Sequence, residues 1–170
     1  MKQNVGMVGI GLMGHGIASN IVKHGHSLAV LEHAGNQPLD ALKAAGAVGL
    51  QRAADVAARS DVVILVLTGS PQVEQVLTGP GGVLQGLRPG TVVIDCSTAL
   101  PASTQRMAQA VQAAGGRFLD TPMTRTPKEA AEGRLNLLVG GDAALLDEWR
   151  PLLQCFAENI FHAGPVSAGH

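Results

Sequence analysis

Three glycines near the N-terminus have the spacing of a phosphate-binding turn. The run from Gly9 to Gly14 reads G-x-G-x-x-G, follows the apolar residues 5–8 and opens into a helical pattern over 17–22. In this order Gly9 permits a tight turn, Gly11 leaves room for a pyrophosphate, and Gly14 lets the helix approach the strand. Unpaired N–H groups at the helix start favour an anion. This context predicts a dinucleotide site, although the motif alone is a weak signal in a chain with 22 glycines.

An acidic residue ends the next predicted strand. Residues 27–31 have the pattern of a buried strand, and Glu32 follows it, 18 residues after Gly14. That spacing is close to the roughly 20 residues at which an acidic side chain meets the adenosine ribose. A carboxylate there accepts hydrogen bonds from the ribose hydroxyls and repels a 2′-phosphate, so Glu32 favours NAD over NADP. In the alternative interpretation, Glu32 only ends the strand and faces water.

Strands and helices alternate along the rest of the chain. The unbroken apolar run 62–67 is typical of a strand that is covered on both faces of a parallel sheet. Further strands are predicted at 47–50, 91–95, 117–120, 135–139 and 158–162, and helices at 39–45, 53–59, 72–77, 101–114, 127–132 and 143–154, with Ser70 and Asp142 as helix caps. A second glycine run, 79–82, is interpreted as a connection, because no strand precedes it. The alternation predicts an α/β fold with a doubly wound, mostly parallel Rossmann sheet, whose ligand lies beyond the carboxyl ends of the strands.

The composition argues against several classes of protein. The 170 residues include 12 basic and 13 acidic side chains, and the net charge of −1 offers no field for nucleic acid or an anionic membrane. Aromatic residues make up only 2%, too few for a base-stacking surface. No apolar run reaches the ~20 residues needed to cross a bilayer, and no signal peptide precedes the first strand. Two cysteines without a C-x-x-C pattern are typical of a reducing, cytoplasmic setting.

The chain resembles the β-hydroxyacid dehydrogenases, the 3-hydroxyisobutyrate dehydrogenase family. The glycine run followed by Ala18-Ser19-Asn20 resembles the N-terminal signature of that family, and the resemblance extends over all 170 residues. Leu67-Thr68 stands where the family usually has Leu-Pro, residues 94–98 end in the family's Ser-Thr, and residues 137–141 match its apolar run with Gly-Gly. The resemblance implies an oxidoreductase that transfers a hydride between a nicotinamide cofactor and a small hydroxy acid or its semialdehyde.

The resemblance also implies the cofactor contacts. Leu12 and Met13 would contact the phosphates together with the three glycines, and Glu32 would contact the ribose. Leu67 and Thr68 would lie near the adenosine side, and Thr98 near the nicotinamide. The cofactor expected on these residues is NAD.

One departure from the family concerns the substrate. After Asp120-Thr121-Pro122 the family commonly has Val-Ser-Gly-Gly, whereas this chain has Met123 to Thr126, with Thr124 and Arg125 in the middle. This looks like the branch that includes sulfolactaldehyde reductase, in which an arginine at this place meets an anionic group. A guanidinium is a permanently charged, forked donor suited to such a group. Thr124 and Arg125 are therefore predicted to bind a small anionic substrate; the alternative is that Arg125 faces solvent.

A second departure concerns catalysis. In the family a lysine acts as general acid and base a few residues after a glycine-containing turn. Residues 164–170 resemble that turn, but no lysine follows within the 170 residues, and Lys128 in a polar helix does not match. Histidine is a residue type suited to acid–base chemistry, but His170 is a terminal residue and is therefore poorly placed to be held. No catalytic residue is assigned. We expect a Rossmann domain at 1–163, with 164–170 starting the connection to a helical domain that is absent here and that would make a homodimer or tetramer.

Other candidates have more ordinary interpretations. His24 and His26 flank a helix-ending glycine without evident carboxylates, so solvated histidines are favoured over a metal pair. Cys96 is interpreted as a small core residue rather than a nucleophile, and Cys155 as packing. His15 is expected on the helix surface, although a phosphate-facing role is open.

Three functions remain open at this point. The chain is the cofactor domain of an NAD-dependent oxidoreductase, or a module that binds NAD without turnover. In the third alternative it belongs to an NADP-dependent enzyme similar to 6-phosphogluconate dehydrogenase or to an imine reductase. Such relatives usually carry Asn-Arg where this chain has Glu32-His33, which disfavours the third alternative.

Overall fold

The sheet has nine strands. In its parallel part, the chain adds strands on one side of the first strand and then continues on the other side of it. The computed structural model describes all 170 residues. The sheet order is β3-β2-β1-β4-β5-β6-β8-β7, with β9 paired to β8. The strands are β1 (Asn4–Val8), β2 (Ser27–Leu31), β3 (Val48–Leu50), β4 (Val62–Leu65), β5 (Val92–Asp95), β6 (Arg117–Asp120), β7 (Met123–Thr124), β8 (Leu135–Gly140) and β9 (Ala157–Gly164).

Eight helices connect these strands. They are α1 (Leu12–Lys23), α2 (Asp40–Ala44), α3 (Ala53–Ala58), α4 (Ser70–Thr78), α5 (Val83–Gly86), α6 (Pro101–Ala113), α7 (Pro127–Glu132) and α8 (Ala143–Leu153). None of them combines the length and the apolar character that a span of a bilayer requires.

Helices cover both faces of the sheet, as the apolar runs predict. All four residues of β4 are buried, and they alternate between two cores: Val62 and Ile64 pack on one face, Val63 and Leu65 on the other. The first core has 28 buried residues and includes residues of α1 and α8; the second has 13 and includes residues of α3, α4 and α6. The predicted doubly wound, mostly parallel Rossmann sheet is confirmed.

The parallel part places the candidate ligand edge. β1 pairs in parallel with β2 on one side and β4 on the other, and their connections leave in opposite directions. In open α/β sheets a ligand crevice forms at such a switch point, outside the carboxyl ends of the strands. The glycine run leaves β1 at this edge.

Close contact with α7 fixes the position of α1. A Cβ on Gly16 would lie 2.7 Å from the backbone of Ala130, so only glycine allows this approach. The buried Asn20 side chain donates to the carbonyl oxygens of Ala130 and Ala131, at 2.9 and 3.1 Å. These contacts hold the start of α1 in place beside the carboxyl end of β1.

Several predicted boundaries need correction. α4 begins at Ser70, and Gly69 is its cap; the predicted cap was wrong because the Ser70 hydroxyl accepts from the Leu100 N–H instead, at 2.8 Å. The second glycine run leads into a short helix, α5, and the two-residue strand β7 was not predicted. The Asp142 cap is confirmed, since its carboxylate accepts from the Leu145 N–H at 2.8 Å.

Candidate functional site

Two of the three glycines in the turn are required by the fold itself. Gly9 has φ +100°, and a Cβ there would lie 2.1 Å from the carbonyl oxygen of Val66. A Cβ on Gly14 would lie 1.9 Å from the carbonyl oxygen of Gly9. Any side chain at either position would force the start of α1 away from β1 and β4.

The middle glycine is different, because the fold leaves its position open. A Cβ on Gly11 would meet nothing within 4 Å, and Gly11 has an ordinary φ of −80°. The space beside Gly11 is therefore a cradle that a side chain would fill. Along the start of α1, the first backbone N–H that donates within the helix is that of His15, which donates to the Gly11 carbonyl oxygen at 2.9 Å. The N–H groups of Leu12 and Met13 precede it, and no acidic side chain lies in the first turn of α1.

A cleft of about 390 Å³ opens at this helix start. It extends across the carboxyl ends of β1, β4 and β5 towards β7. Eight residues predicted to bind cofactor or substrate line it: Gly11, Leu12, Met13, Gly14, Leu67, Thr68, Thr98 and Arg125. Val66, Cys96 and Met123 complete the lining.

Hydrogen bonds between neighbouring strand ends set the floor of this cleft. The Leu67 N–H donates to the Ser97 hydroxyl at 2.8 Å, which ties the residues after β4 to those after β5. The Ser97 N–H in turn donates to the carboxyl of Asp95 at 3.0 Å. Thr68 and Thr98 follow these tied residues directly and are exposed at the cleft.

The structure places Glu32 beside a second cavity rather than in the cleft. This cavity has a volume of about 470 Å³. The Glu32 carboxylate accepts from Lys43 Nζ at 2.5 Å and from Gln51 Nε2 at 2.8 Å. The hydrogen bond from Lys43, followed by that from Gln51, lowers the pKa of Glu32 below its usual value. The two cavities are neighbours, since the Gln37 N–H beside Glu32's cavity donates to the Ile10 carbonyl oxygen at 2.7 Å.

Arg125 lines the cleft in an unusual conformation. Its φ of +83° lies in the left-handed region that side chains other than glycine rarely adopt. Its guanidinium pairs with Glu158 and donates to the Arg134 carbonyl oxygen at 2.6 Å. The hydrogen bond from Arg125 also lowers the pKa of Glu158. The predicted partner Thr124 is exposed outside the cleft lining, and its hydroxyl accepts from Asn136 Nδ2 at 3.1 Å.

Sequence reasoning missed the role of Asp120. This buried carboxylate accepts backbone N–H groups from three residues of the C-terminal segment, which is defined here as residues 164–170. The donors are Ser167 at 2.8 Å, Gly169 at 2.9 Å and His170 at 3.2 Å. An acid at the end of a buried parallel strand was visible in the sequence, but its donors lie about 50 positions away.

The expectation that His170 is poorly held is therefore wrong. Besides its backbone bond to Asp120, the imidazole contacts the Thr104 hydroxyl through Nδ1 and the Ser97 carbonyl oxygen through Nε2, both at 2.7 Å. Because a carbonyl oxygen only accepts, Nε2 carries a hydrogen. The ring is anchored at both nitrogens, next to the strand end that also supports the cleft.

Asp95 and Cys96 are buried beside this cluster. Burial raises the pKa of Asp95, and its Oδ2 has no hydrogen-bond partner. Burial also raises the pKa of Cys96 to about 12, so the side chain stays a thiol, 3.0 Å from the Thr121 hydroxyl. This agrees with its interpretation as a core residue, because a nucleophile would need the thiolate.

The remaining candidates have local roles. His24 bonds the Asn20 carbonyl oxygen at 2.8 Å, and His26 accepts from the Gln3 N–H at 3.0 Å. His26 is half-buried, so it is not the solvated side chain that was expected, and Cys155 Sγ lies 3.7 Å from its Nε2. His15 is half-buried as well. No group of three or more histidine, cysteine or acidic side chains is arranged to hold a metal ion.

The fold and the glycine-lined cleft define a class, the NAD-binding Rossmann domains. The family described as the NAD binding domain of 6-phosphogluconate dehydrogenase matches residues 4–164, and the chain belongs to it. Among curated proteins, the NAD-dependent L-serine dehydrogenase of Pseudomonas aeruginosa is 40% identical over 169 residues, which are 99% of this chain and 56% of that protein. The 2-hydroxy-3-oxopropionate reductase of Escherichia coli is 34% identical and covered over 54% of its length, with 94% of this chain aligned.

A solved structure supports the same assignment. The 3-hydroxyisobutyrate dehydrogenase of Mycobacterium tuberculosis, determined with L-serine, superimposes with a TM-score of 0.92 at 31% identity, over 99% of this chain and 57% of that chain. The chain thus spans about half the length of the relatives it matches. Within the class, it is an NAD-binding domain of the hydroxyacid dehydrogenase family, which confirms the resemblance. The narrower likeness to the sulfolactaldehyde reductase branch stays a prediction.

Proposed function

We propose that this chain is the NAD-binding half of an oxidoreductase that transfers a hydride between NAD and a small acid with an oxygen on its third carbon. The cleft at the start of α1 is the observation that carries the proposal, because the Gly11 cradle and the uncapped helix start fit a pyrophosphate. The relatives are named for L-serine, 3-hydroxyisobutyrate and 2-hydroxy-3-oxopropionate, and each of these acids has an oxygen on its third carbon. NAD would supply or accept the hydride.

In this proposal the cofactor extends over both cavities. Gly9, Gly11 and Gly14 shape the turn, and the N–H groups of Leu12 and Met13 donate to the phosphates. Glu32 accepts from the ribose hydroxyls in the neighbouring cavity, and its carboxylate disfavours a 2′-phosphate. The other cleft residues border the adenosine side and the nicotinamide: Leu67, Thr68 and Thr98.

Arg125 and Thr124 are proposed to hold the substrate's anionic group. Arg125 is the charged residue of the cleft lining, and its forked guanidinium suits a carboxylate or a larger oxyanion. Its left-handed φ supports a site role, because strained backbone is retained where it positions a functional group. Glu158 holds the same guanidinium, so a substrate must share it or displace Glu158.

The proton that accompanies the hydride needs a group outside the cleft lining described above. The cleft contains no lysine or histidine, and the buried Cys96 thiol is a poor proton donor with a pKa of about 12. We propose that the acid–base lysine implied by the family, and the contacts between subunits, belong to the other half of the relatives' length. A cytoplasmic location is part of the same proposal.

Titration of the 170-residue chain with NADH and with NADPH tests the cofactor proposal. We expect quenching of protein fluorescence and enhancement of nicotinamide fluorescence with NADH. We expect NADPH to bind at least tenfold more weakly, a difference of ~1.4 kcal/mol, because its 2′-phosphate replaces a hydroxyl from which Glu32 would accept. Gly11→Ala is the matched control, because it fills the cradle without touching the fold. Undetectable NADH binding, or tighter binding of NADPH, would contradict the proposal.

The alternative of a binding module without turnover has one specific observation in its favour, the absence of an acid–base side chain from the cleft. Incubation of the 170-residue chain with NAD and L-serine is expected to produce no NADH, whereas a longer gene product that contains the family's lysine is expected to turn over. Arg125→Ala in that longer protein should raise KM for the acid while leaving NADH affinity unchanged. Turnover by the 170-residue chain would show that the proton donor lies within it.

A further inference from the structure

The Glu32 carboxylate has three neighbours that restrict where it can lie. Lys43 Nζ lies 2.5 Å from Oε1, and Gln51 Nε2 lies 2.8 Å from Oε2. A Cβ on Gly49 would lie 2.0 Å from Oε1, so the absence of a side chain on β3 makes the room that the carboxylate occupies. Backbone pairing fixes the base of the side chain, since the Glu32 N–H donates to the Leu50 carbonyl oxygen at 2.8 Å.

Lys43 is the one lysine or arginine in the lining of this cavity. The other titratable side chains there are Glu32, His33 and Asp40. Lys43 belongs to α2, and its side chain is 46% exposed, so its ammonium is free to move when its partner is removed. The cavity of about 470 Å³ is the one in which the proposed function places the adenosine ribose.

This pairing changes the electrostatic argument for cofactor choice. A lone carboxylate would repel a 2′-phosphate with its full charge, but here an ammonium at 2.5 Å neutralises much of that field. Discrimination between NAD and NADP then depends on two functions of the Glu32 side chain. It accepts from the ribose hydroxyls, and it holds the Lys43 ammonium in an ion pair. A lysine ammonium released beside the ribose is well suited to bind a phosphate.

We infer that Lys43 is a second determinant of cofactor specificity, held in check by Glu32: when the Glu32 carboxylate is removed, Lys43 binds the 2′-phosphate and the site accepts NADP. The inference rests on the proposed function, because it places the ribose beside Glu32. It goes further by assigning an opposing role to a residue of α2 that the glycine motif and its acidic residue do not predict.

A double-mutant cycle on the 170-residue chain tests the inference with NADH and NADPH as ligands. Glu32→Gln is expected to raise NADPH affinity on the order of tenfold, and Glu32→Gln with Lys43→Met to lose most of that gain. Lys43→Met alone leaves Glu32 unneutralised, so NADPH affinity should fall about threefold while NADH affinity stays within about twofold. The gain in Glu32→Gln should also shrink at high salt, because the released ammonium is exposed.

The control is Lys23→Met, which removes the same charge at the far end of α1, about 18 Å along the helix from the glycine turn. It should change neither affinity. Thermal melting of each variant confirms that it is folded, and the single Lys43→Met variant keeps the test available should Glu32→Gln lose stability.

The outcomes separate this inference from the proposed function. A parent chain that binds neither nucleotide overturns the proposed function and the inference with it. A parent chain that binds NADH overturns the inference alone if Glu32→Gln gains no NADPH affinity, or if the gain is undiminished when Lys43→Met is added. An NADPH affinity that rises in Lys43→Met has the same consequence.

Discussion

The glycine-lined cleft and the C-terminal segment lie at the same edge of the sheet, but different kinds of atoms build them. Backbone features shape the cleft: the glycine turn, the start of α1 and the carboxyl ends of β1, β4 and β5. The C-terminal segment is held by side chains, chiefly the Asp120 carboxylate and the anchored imidazole of His170. The glycine turn of the cleft is encoded in six consecutive residues, whereas the C-terminal segment depends on contacts between residues 47 to 73 positions apart.

The two regions meet at one residue. The Ser97 hydroxyl accepts from the Leu67 N–H at the cleft, and the Ser97 carbonyl oxygen accepts from the His170 ring, at 2.8 and 2.7 Å. A change in the C-terminal segment is therefore expected to reach the cleft through the end of β5. In a longer protein, these hydrogen bonds would position the residues that follow the segment relative to the cleft.

The largest effects are expected when Gly11 and Gly14 of the glycine turn are replaced one at a time. Gly14→Ala should destabilise the fold by about 3 kcal/mol, because its Cβ would lie 1.9 Å from the Gly9 carbonyl oxygen. Gly11→Ala should leave stability within about 0.5 kcal/mol of the parent, yet lower NADH affinity on the order of 100-fold, because the Cβ fills only the phosphate cradle. Urea unfolding and NADH titration measure the two quantities.

The same pair of variants could break the comparison. Equal loss of stability in Gly11→Ala and Gly14→Ala would mean that the whole turn serves the fold. Undiminished NADH binding by a folded Gly11→Ala variant would show that the phosphates do not bind in the space beside Gly11.

At the contacts that hold the C-terminal segment, Asp120→Asn is expected to destabilise by about 3 kcal/mol. The carboxylate accepts hydrogen bonds at both oxygens, from Ser167 at Oδ1 and from Gly169 and His170 at Oδ2, whereas an asparagine keeps one acceptor oxygen. Its NH₂ group faces the N–H donors at the other position, and those half-buried donors lose their acceptor. Asp95→Asn is the matched control on the neighbouring strand: its Oδ1 can still accept from the Ser97 N–H, and Oδ2 has no partner to lose. Its effect at neutral pH should stay within about 1 kcal/mol. Similar losses in both variants would mean that burial of an acid, rather than the C-terminal segment, sets the cost.

Sequence reasoning succeeded where the signal is local. The glycine turn, the covered strand Val62–Leu65, the Asp142 cap and the two-faced sheet each follow from short patterns. It failed where a side chain finds a distant partner. The Ser70 hydroxyl accepts from the Leu100 N–H instead of capping its own helix. His170 is anchored by three residues that are distant in the sequence: Ser97, Thr104 and Asp120.

The candidate site divides in the same way. Eight predicted residues meet in one cleft because the carboxyl ends of parallel strands share an edge. Glu32 lies in the neighbouring cavity, where it accepts from Lys43 on α2 and from Gln51 after β3. The spacing of the glycine motif does not predict either partner. The hydrogen bond between Arg125 and Glu158 joins residues 33 positions apart.

A smaller effect is expected in the pH dependence of stability. Burial raises the folded-state pKa of Asp95 above its unfolded value near 3.8, so the folded chain binds the proton more tightly. The stability contributed by that proton is present at low pH and is lost as pH rises through the folded pKa. Asp95→Asn should therefore gain stability relative to the parent as the pH is raised from 4 to 7. Denaturant unfolding across that range measures the difference, and a constant difference would show that Asp95 ionises at its ordinary pKa.

The smallest expected effect lies at Arg125, where the backbone of the cleft and a distant side chain act on one residue. Its left-handed φ costs about 1 kcal/mol that glycine does not incur, while its exposed ion pair with Glu158 contributes less than about 1 kcal/mol. Arg125→Gly loses the pair and relieves the backbone, so its stability should match the parent's. Arg125→Ala loses the pair and keeps the strain, so it should be about 1 kcal/mol less stable than Arg125→Gly. Glu158→Gln removes this pair together with the ion pair between Arg134 Nε and Glu158 Oε1 at 3.7 Å, so it sets an upper limit on the contribution of the Arg125 pair. Equal stabilities of the glycine and alanine variants would show that no strain is stored at this position, and the retention of arginine there would then depend on its side chain alone.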